Sequence, residues 1–349
     1  MITRQRLEEL LAAFPGERIG LLGDLFLDRY LQIAPELYET SIETYIEAFQ
    51  IAEIRNSPGA LGTIMNNLTA LGVGTLVPVT VIGDDGHAYD LLQALSAMPV
   101  DSTHVIQSSA RNTPTYTKPM TRNAAGRPVE LNRLDIRNRT PMPADLEAAV
   151  IARLGRVFAE CDGLIVLDQV NEEGVGVVTP AVREQLAVLA EANPQKLVFV
   201  DSRAHIDRFR RGVLKPNLAE CLKAMGRPLP AEAESATEEA LAAGRAAAVE
   251  LAQRHGETLF CTMGERGMLV VTPAEGAQEI AGFPVSGPID FVGAGDSATS
   301  GIVSSLVAGA SLAEAATVGN LVASITVQQI GTTGTATPQQ VLDRHAETH

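Results

Sequence analysis

The segment best equipped for chemistry is Asp290-Phe-Val-Gly-Ala-Gly-Asp296, which runs directly into a helix of small residues. Small residues at Gly293, Ala294 and Gly295 let the backbone approach a ligand closely. Their N–H groups would point out of the N-terminus of the following helix. An anion is favoured there, whether a bound phosphate or the charge that develops during phosphoryl transfer. Asp296, at the mouth of the turn, is placed to take a proton from an attacking hydroxyl. Phosphoryl transfer needs such alignment more than it needs covalent participation by the protein. A Gly-rich turn with Asp296 as an ordinary helix N-cap has the same residue pattern, so the segment alone leaves both readings open.

Such a turn needs rigid elements behind it. Short apolar runs predict buried strands at Arg18–Leu22, Gly74–Val81, Gly163–Leu167, Leu197–Asp201, Thr258–Thr262 and Met268–Thr272. Helical patterns lie between them: Gly62–Leu71, Ala88–Ala97, Pro143–Ala159, Pro180–Ala192, Leu218–Met225, Ala231–His255, Ser297–Ala308 and Leu312–Gln329. Alternating strands and helices predict an α/β fold, a mostly parallel central sheet flanked by helices. Leu31–Asn56 and Asn112–Asp135 break the alternation with polar, mixed sequence. They suit a small β-rich lid, although Glu36–Ala48 fits a helix equally well. The expected organisation is one domain over residues 1–349, with lid segments at about 25–57 and 110–136. Met1–Phe14 reads as an amphipathic helix without a signal-peptide core. Ala231–Ala248 reads as an exposed helix, and Gly301–Ile330 as a buried helix pair, since Glu314 and Asn320 interrupt it.

The composition narrows the partners. Of 349 residues 46% are hydrophobic, enough for a large core, yet there is no Trp. A net charge of −15 repels nucleic acid and anionic membranes. Cys161, Cys221 and Cys261 form no metal or redox spacing, which predicts three reduced thiols in a cytoplasmic protein. His345 and His349 are four apart but sit at the end of the sequence, where a disordered tail is expected rather than a metal site. No GxxxxGK[ST] loop and no strand-linked GxGxxG occurs, which argues against a P-loop kinase and a nicotinamide oxidoreductase.

Four motifs, in order and spacing, resemble those of the PfkB/ribokinase family over nearly the whole chain, and most of all its bacterial heptose-phosphate kinase branch. They are Gly23-Asp24-Leu-Phe-Leu-Asp28, Asn217-Leu-Ala-Glu220, Thr262-Met-Gly264-Glu-Arg-Gly267 and Asp290 to Asp296. The resemblance implies ATP-dependent phosphorylation of a sugar or sugar phosphate, with Asp296 as base and Gly293 to Gly295 as anion hole. It implies that Asp24, at the C-terminal end of the first strand, accepts bonds from sugar hydroxyls in the crevice where open α/β sheets bind ligands. It implies acceptor contacts from Asp28, Gly59, Asn67 and Arg133. It implies nucleotide contacts from Thr262, Gly264, Gly267, Asp290 and Asn320. Asn217 and Glu220 would hold a hydrated Mg²⁺ through water, although Asn and Glu three apart also make a helix capping box. A monovalent cation and pairing of lids into a homodimer are further implications of the family. Alternatives are a nucleoside or small-polyol kinase on the same fold, or a non-catalytic sugar- or nucleotide-binding protein.

The departures fall in the acceptor half. The family's G-G-x-x-x-N loop reads here as Gly59-Ala60-Leu-Gly-Thr63, without the second Gly or the Asn. The Lys-bearing loop of the heptose-phosphate kinases is replaced by Leu167-Asp-Gln-Val-Asn-Glu172-Glu173-Gly174, which argues for a preferred acceptor other than heptose 7-phosphate. Lys118, Arg133 and Arg203 remain as anion contacts or solvated surface cations. No HxGH-type signature is present, so the nucleotidyltransferase activity fused to some heptose kinases is not expected of these residues.

Overall fold

A computed structural model describes residues 2–123, 126–230 and 237–347. Its main sheet contains β1 (Arg18–Gly23), β6 (Thr75–Gly83), β7 (Val105–Ser108), β11 (Gly163–Asp168), β12 (Leu197–Ser202), β13 (Val213–Leu214), β14 (Leu259–Thr262), β15 (Gly267–Thr272) and β16 (Gly276–Ala281). Their order is β16-β15-β14-β13-β12-β11-β1-β6-β7, and every pair is parallel except those made by β15. The central strands bury both faces, and alternate residues feed two cores. Ile19, Leu21, Ile165, Leu167 and Phe199 face one core; Leu22, Leu164, Val166, Val198 and Val200 face the other.

The helices are α1 (Arg4–Ala13), α2 (Leu61–Ala70), α3 (Gly86–Leu95), α4 (Ala144–Glu160), α5 (Pro180–Ala192), α6 (Leu218–Ala224), α7 (Glu238–His255), α8 (Ala294–Val307), α9 (Leu312–Thr326) and α10 (Pro338–Glu347). Residues of α1, α2, α3, α8, α9 and α10 build the first core, and residues of α4 to α7 the second. The pair α8 and α9 packs closely because glycines meet: a Cβ on Gly301 would lie 3.1 Å from the Gly319 Cα. Among the described residues no helix is long and apolar enough to cross a membrane.

A second sheet contains β2 (Leu25–Ile33), β5 (Ile51–Ala60), β8 (Thr115–Arg122), β9 (Pro128–Glu130) and β10 (Leu134–Ile136). Its strands fall in or beside the two segments that break the alternation: β2 begins before Leu31, β5 runs past Asn56 to Ala60, and β10 ends at Ile136. Its order is β10-β8-β2-β5, with β9 paired to β8. Arg29 on β2 forms an ion pair with Asp90 on α3, which ties this sheet to the main body. Strands β3 (Glu39–Thr40) and β4 (Glu47–Ala48) form a separate small hairpin.

Several expectations need correction. Glu36–Ala48 is not a helix: Ile42, Tyr45 and Ile46 are exposed, so a helix there would have no apolar face to bury. The described part of the Ala/Glu-rich stretch is not an exposed helix. Leu241, Gly244, Ala247 and Ala248 of α7 are buried, and a Cβ on Gly244 would lie 2.9 Å from Leu218. Residues 231–236 of that expected helix lie outside the described residues, as does His349. His345 is not in a tail. It is buried on α10 one turn from Val341, and its Nε2 lies 3.0 Å from the Ile2 carbonyl oxygen. Helix α8 begins at Ala294 rather than Ser297, which brings Asp296 inside its first turn.

Candidate active site

The C-terminal ends of the parallel strands converge with the N-terminus of α8. The turn before α8 is shaped by Gly293, whose φ of +80° is a left-handed conformation that suits glycine. Asp290 clamps this turn: its Oδ1 accepts the Val292 N–H at 3.0 Å and its Oδ2 accepts the Gly331 N–H at 3.0 Å. Gly293, not Asp296, caps the helix. Ala294 donates its N–H to the Phe291 carbonyl at 3.1 Å, so it is not free for an anion. Of the run Gly293 to Gly295, only the Ala294 N–H is thus engaged; those of Gly293 and Gly295, with that of Asp296, have no partner among the described residues.

Asp296 lies partly exposed in this recess. Burial, and then the nearby Asp201 carboxylate, push its pKa up to about 7, against the pull of Lys215 and Arg203. Lys215 and Asp201 lie outside the motifs legible in the sequence. Lys215 follows β13 and is 4% exposed; its Nζ sits 2.8 Å from Asp201 Oδ2 at the end of β12. A Cβ added to Gly295 would lie 3.5 Å from that Nζ, so a buried ammonium underlies the first turn of α8. The position of Lys215, directly before Pro216-Asn217, was the available signal.

Asn217 and Glu220 form a full capping box at the start of α6. Glu220 N–H donates to Asn217 Oδ1 at 2.9 Å, and Asn217 N–H donates to Glu220 Oε2 at 2.8 Å. Glu220 nevertheless has its pKa raised, by burial first and by Asp201 next. Among the described residues no cluster of three or more His, Cys, Asp or Glu side chains could hold a metal ion. Thr262 ends β14, with its N–H on the Pro216 carbonyl at 3.0 Å. Beyond it Gly264 and Gly267 have φ of +61° and +92°, and a Cβ on Gly267 would fall 2.2 Å from the Ile280 carbonyl oxygen. Asn320 on α9 donates from Nδ2 to the carbonyls of Ile280 and Ala281, both at 3.1 Å, and so anchors β16 beside that loop.

The acceptor side is a cavity under the second sheet, lined by Asp24, Tyr116, Asn138, Gln169, Gly176 and Arg203 among others. Asp24 is 4% exposed, and burial raises its pKa to about 6. Its oxygens accept the N–H groups of Val177 at 2.8 Å and Gln169 at 3.2 Å, so the carboxylate also holds the loop after β11. Helix α2 connects this cavity to α8. Leu61 N–H donates to the Asp24 carbonyl at 3.0 Å, and Ser300 Oγ donates to the Ile64 carbonyl at 3.3 Å.

Other expected acceptor contacts are placed differently. Asp28 pairs with Lys118 at 3.3 Å, beneath Gly59, where a Cβ would meet its carboxylate at 2.9 Å. Asn67 is fully buried within α2, with Nδ2 on the Thr63 carbonyl at 2.9 Å, and it does not line the cavity. Arg133 is held by Asp135 at 2.6 Å and lies over the Tyr116 ring; the cavity is lined by Arg111 and Arg137 instead. Glu173 is occupied by Arg183 at 2.8 Å and by Arg208; of the two added acids, only Glu172 lines the cavity.

A parallel α/β sheet, a glycine-shaped helix N-terminus with an aspartate in its first turn and a cavity roofed by a small sheet define a class of phosphotransferase-like fold. The model of the pfkB family carbohydrate kinases matches residues 47–340, and the chain belongs to that family. It is 27% identical to the bifunctional protein HldE of Trichlorobacter lovleyi, over 98% of this chain and 65% of that protein. The chain spans between 61% and 65% of the length of the first three curated relatives it matches. Two solved structures share the fold. Escherichia coli phosphofructokinase-2 in complex with potassium aligns with a TM-score of 0.69 and 18% identity, over 95% of this chain and 99% of that one. Arabidopsis thaliana ribokinase complexed with ribose and ATP aligns at 0.65 and 16%, over 94% and 98%.

Proposed function

We propose that this protein transfers the γ-phosphoryl group of ATP to a hydroxyl of a sugar or sugar phosphate. The observation that carries this is Asp296: a carboxylate in the first turn of α8, with a pKa near neutrality, beside unpartnered N–H groups and the Lys215 ammonium. The acceptor hydroxyl gives its proton to the Asp296 carboxylate as its oxygen bonds to the γ-phosphorus. The bond from that phosphorus to the β–γ bridging oxygen breaks, and ADP leaves with the electron pair. Gly295, Asp296 N–H and Lys215 face the charge that develops. Asp24 orients the acceptor, and the second sheet acts as a lid that excludes water, without which ATP would be hydrolysed.

In this account Thr262, Gly264 and Gly267 form the nucleotide loop: the space beside Gly264 is open to a ligand, and Gly267 lets the loop pack tightly against the Ile280 carbonyl. Asn217 and Glu220 offer two oxygen-bearing side chains, too few for a closed metal cage. They fit a Mg²⁺ ion that keeps most of its water and is held jointly with nucleotide phosphates, where it would neutralise phosphate charge. The exposed Ile42, Tyr45, Ile46, Ile54 and Leu134 around the second sheet support lid-to-lid pairing in a homodimer. The three free, buried cysteines support a reducing, cytoplasmic setting. A screen of sugars, sugar phosphates (heptose 7-phosphate included) and nucleosides for ADP release tests the activity. Acceptor-dependent ADP release with a sugar or sugar phosphate is expected; release with nucleosides alone, or with no acceptor at all, would contradict it.

A further inference from the structure

Among the described residues Arg203 is the one that lines both the acceptor cavity and the cleft beside α6 that holds Glu220 and Lys223. It follows β12 directly, and its backbone is fixed: its N–H donates to the Asp168 carbonyl at 3.1 Å. A buried cluster stiffens the same turn. Ser202 Oγ donates to Asp168 Oδ2 at 2.8 Å and accepts the His205 N–H at 3.0 Å, and the His205 ring lies 3.2 Å from the same carboxylate oxygen. The Arg203 side chain, in contrast, is exposed and takes part in no ion pair among the described residues. Its neighbours differ in this respect: Arg208 is held by Glu173, and Lys215 by Asp201. Its charge still reaches Asp296 and Glu220, both of whose carboxylates it stabilises. A guanidinium with a fixed root, a free head and carboxylates on the transfer side is suited to fork onto a phosphoryl group.

We propose that Arg203 binds a phosphoryl oxygen at the junction between the acceptor cavity and the Asp296 turn. The inference rests on the phosphotransferase reading above. Two groups could supply that oxygen: the phosphoryl in transfer, or a phosphate already on the acceptor. The first places Arg203 as a clamp that moves with the reaction's charge; the second makes it the residue that selects phosphorylated sugars.

The test uses the full chain with Arg203→Ala, Arg203→Lys and, as a control on a nearby arginine outside the acceptor cavity, Arg208→Ala. Calorimetry compares AMP-PNP with ADP, and kinetics compare a sugar phosphate with its unphosphorylated sugar. If Arg203 holds the transferring group, Arg203→Ala weakens AMP-PNP roughly tenfold or more while ADP binding stays within about twofold. If it holds the acceptor's phosphate, KM rises to a similar extent for the sugar phosphate alone. In both cases Arg203→Lys recovers part of the loss and Arg208→Ala resembles the wild type. An Arg203→Ala protein that still distinguishes AMP-PNP from ADP as the wild type does, with no selective change toward a sugar phosphate, overturns the assignment. A wild-type protein inactive on every acceptor sinks the phosphotransferase reading instead, and the nucleotide comparison still decides the role of Arg203.

Discussion

Ala60 sits at the N-cap of α2 with φ +52° and ψ −114°, a conformation that side chains other than glycine rarely adopt. This is the position where the family's loop has its second glycine, so the departure noted in the sequence leaves a strained backbone rather than a rebuilt loop. Ala60→Gly should stabilise the fold by about 1 kcal/mol, because relief of strain outweighs the added freedom of the unfolded chain. Equilibrium unfolding measures it, and a loss of stability would contradict the strain. Glu17 carries another local tension. It is 5% exposed, neither carboxylate oxygen has a hydrogen bond of good geometry among the described residues, and burial, opposed by the nearby Ser304 hydroxyl, raises its pKa from 4.5 to about 8. The folded state holds this proton more tightly than the unfolded one, so the stability it brings is full below pH 4.5 and is lost as pH rises through about 8. Glu17→Gln should flatten this slope; identical stability–pH curves for the two proteins would rule it out. Asp296 and Asp24 were legible as residues because Asp296 closes its motif and Asp24 directly follows the first strand. Arg203 was legible only as one candidate anion contact among three, whereas the pairing of Lys215 with Asp201 comes from strands β12 and β13 lying side by side, which no local spacing reveals.

At the scale of elements, the strands legible in sequence were those with continuous β-branched or apolar runs. The two-residue β13 and the edge strands β7 and β16 were not found. An edge strand buries little, and β16 is mostly exposed. The helix α10 was missed because its evidence is the pair Val341 and His345, whose partner lies at the other end of the chain. The start of α6 shows the two readings of one motif coexisting. Its Asn217–Glu220 capping box stabilises the helix whether or not a metal binds. Glu220→Gln keeps an acceptor oxygen for the Asn217 N–H and removes only the charge. It should therefore leave the melting temperature nearly unchanged and raise the Mg²⁺ concentration needed for half-maximal activity several-fold, on the order expected for a lost outer-shell carboxylate. An unchanged Mg²⁺ titration would reduce the pair to a cap.

At the scale of the molecule, strands β1, β11 and β12 end at one edge of the main sheet, and α2 links that edge to the N-terminus of α8. Helix α2 therefore touches both the strand end that carries Asp24 and the start of α8 that carries Asp296, although the two aspartates lie 272 positions apart in sequence. The broad α/β order was readable from alternating runs. The second sheet was readable only as a break in that alternation, because its register depends on β2 pairing with both β5 and β8. In the proposed reaction Asp296 is the group on which transfer depends. The most direct measurement is turnover of the wild type and Asp296→Asn on the acceptor that supports ADP release, across pH 5 to about 9, with ATP affinity determined in parallel. The wild-type kcat/KM should rise with pH as a carboxylate ionises near 7, and Asp296→Asn should lose on the order of a hundredfold or more while still binding ATP. An Asp296→Asn protein with wild-type turnover and an unchanged pH profile would contradict the account.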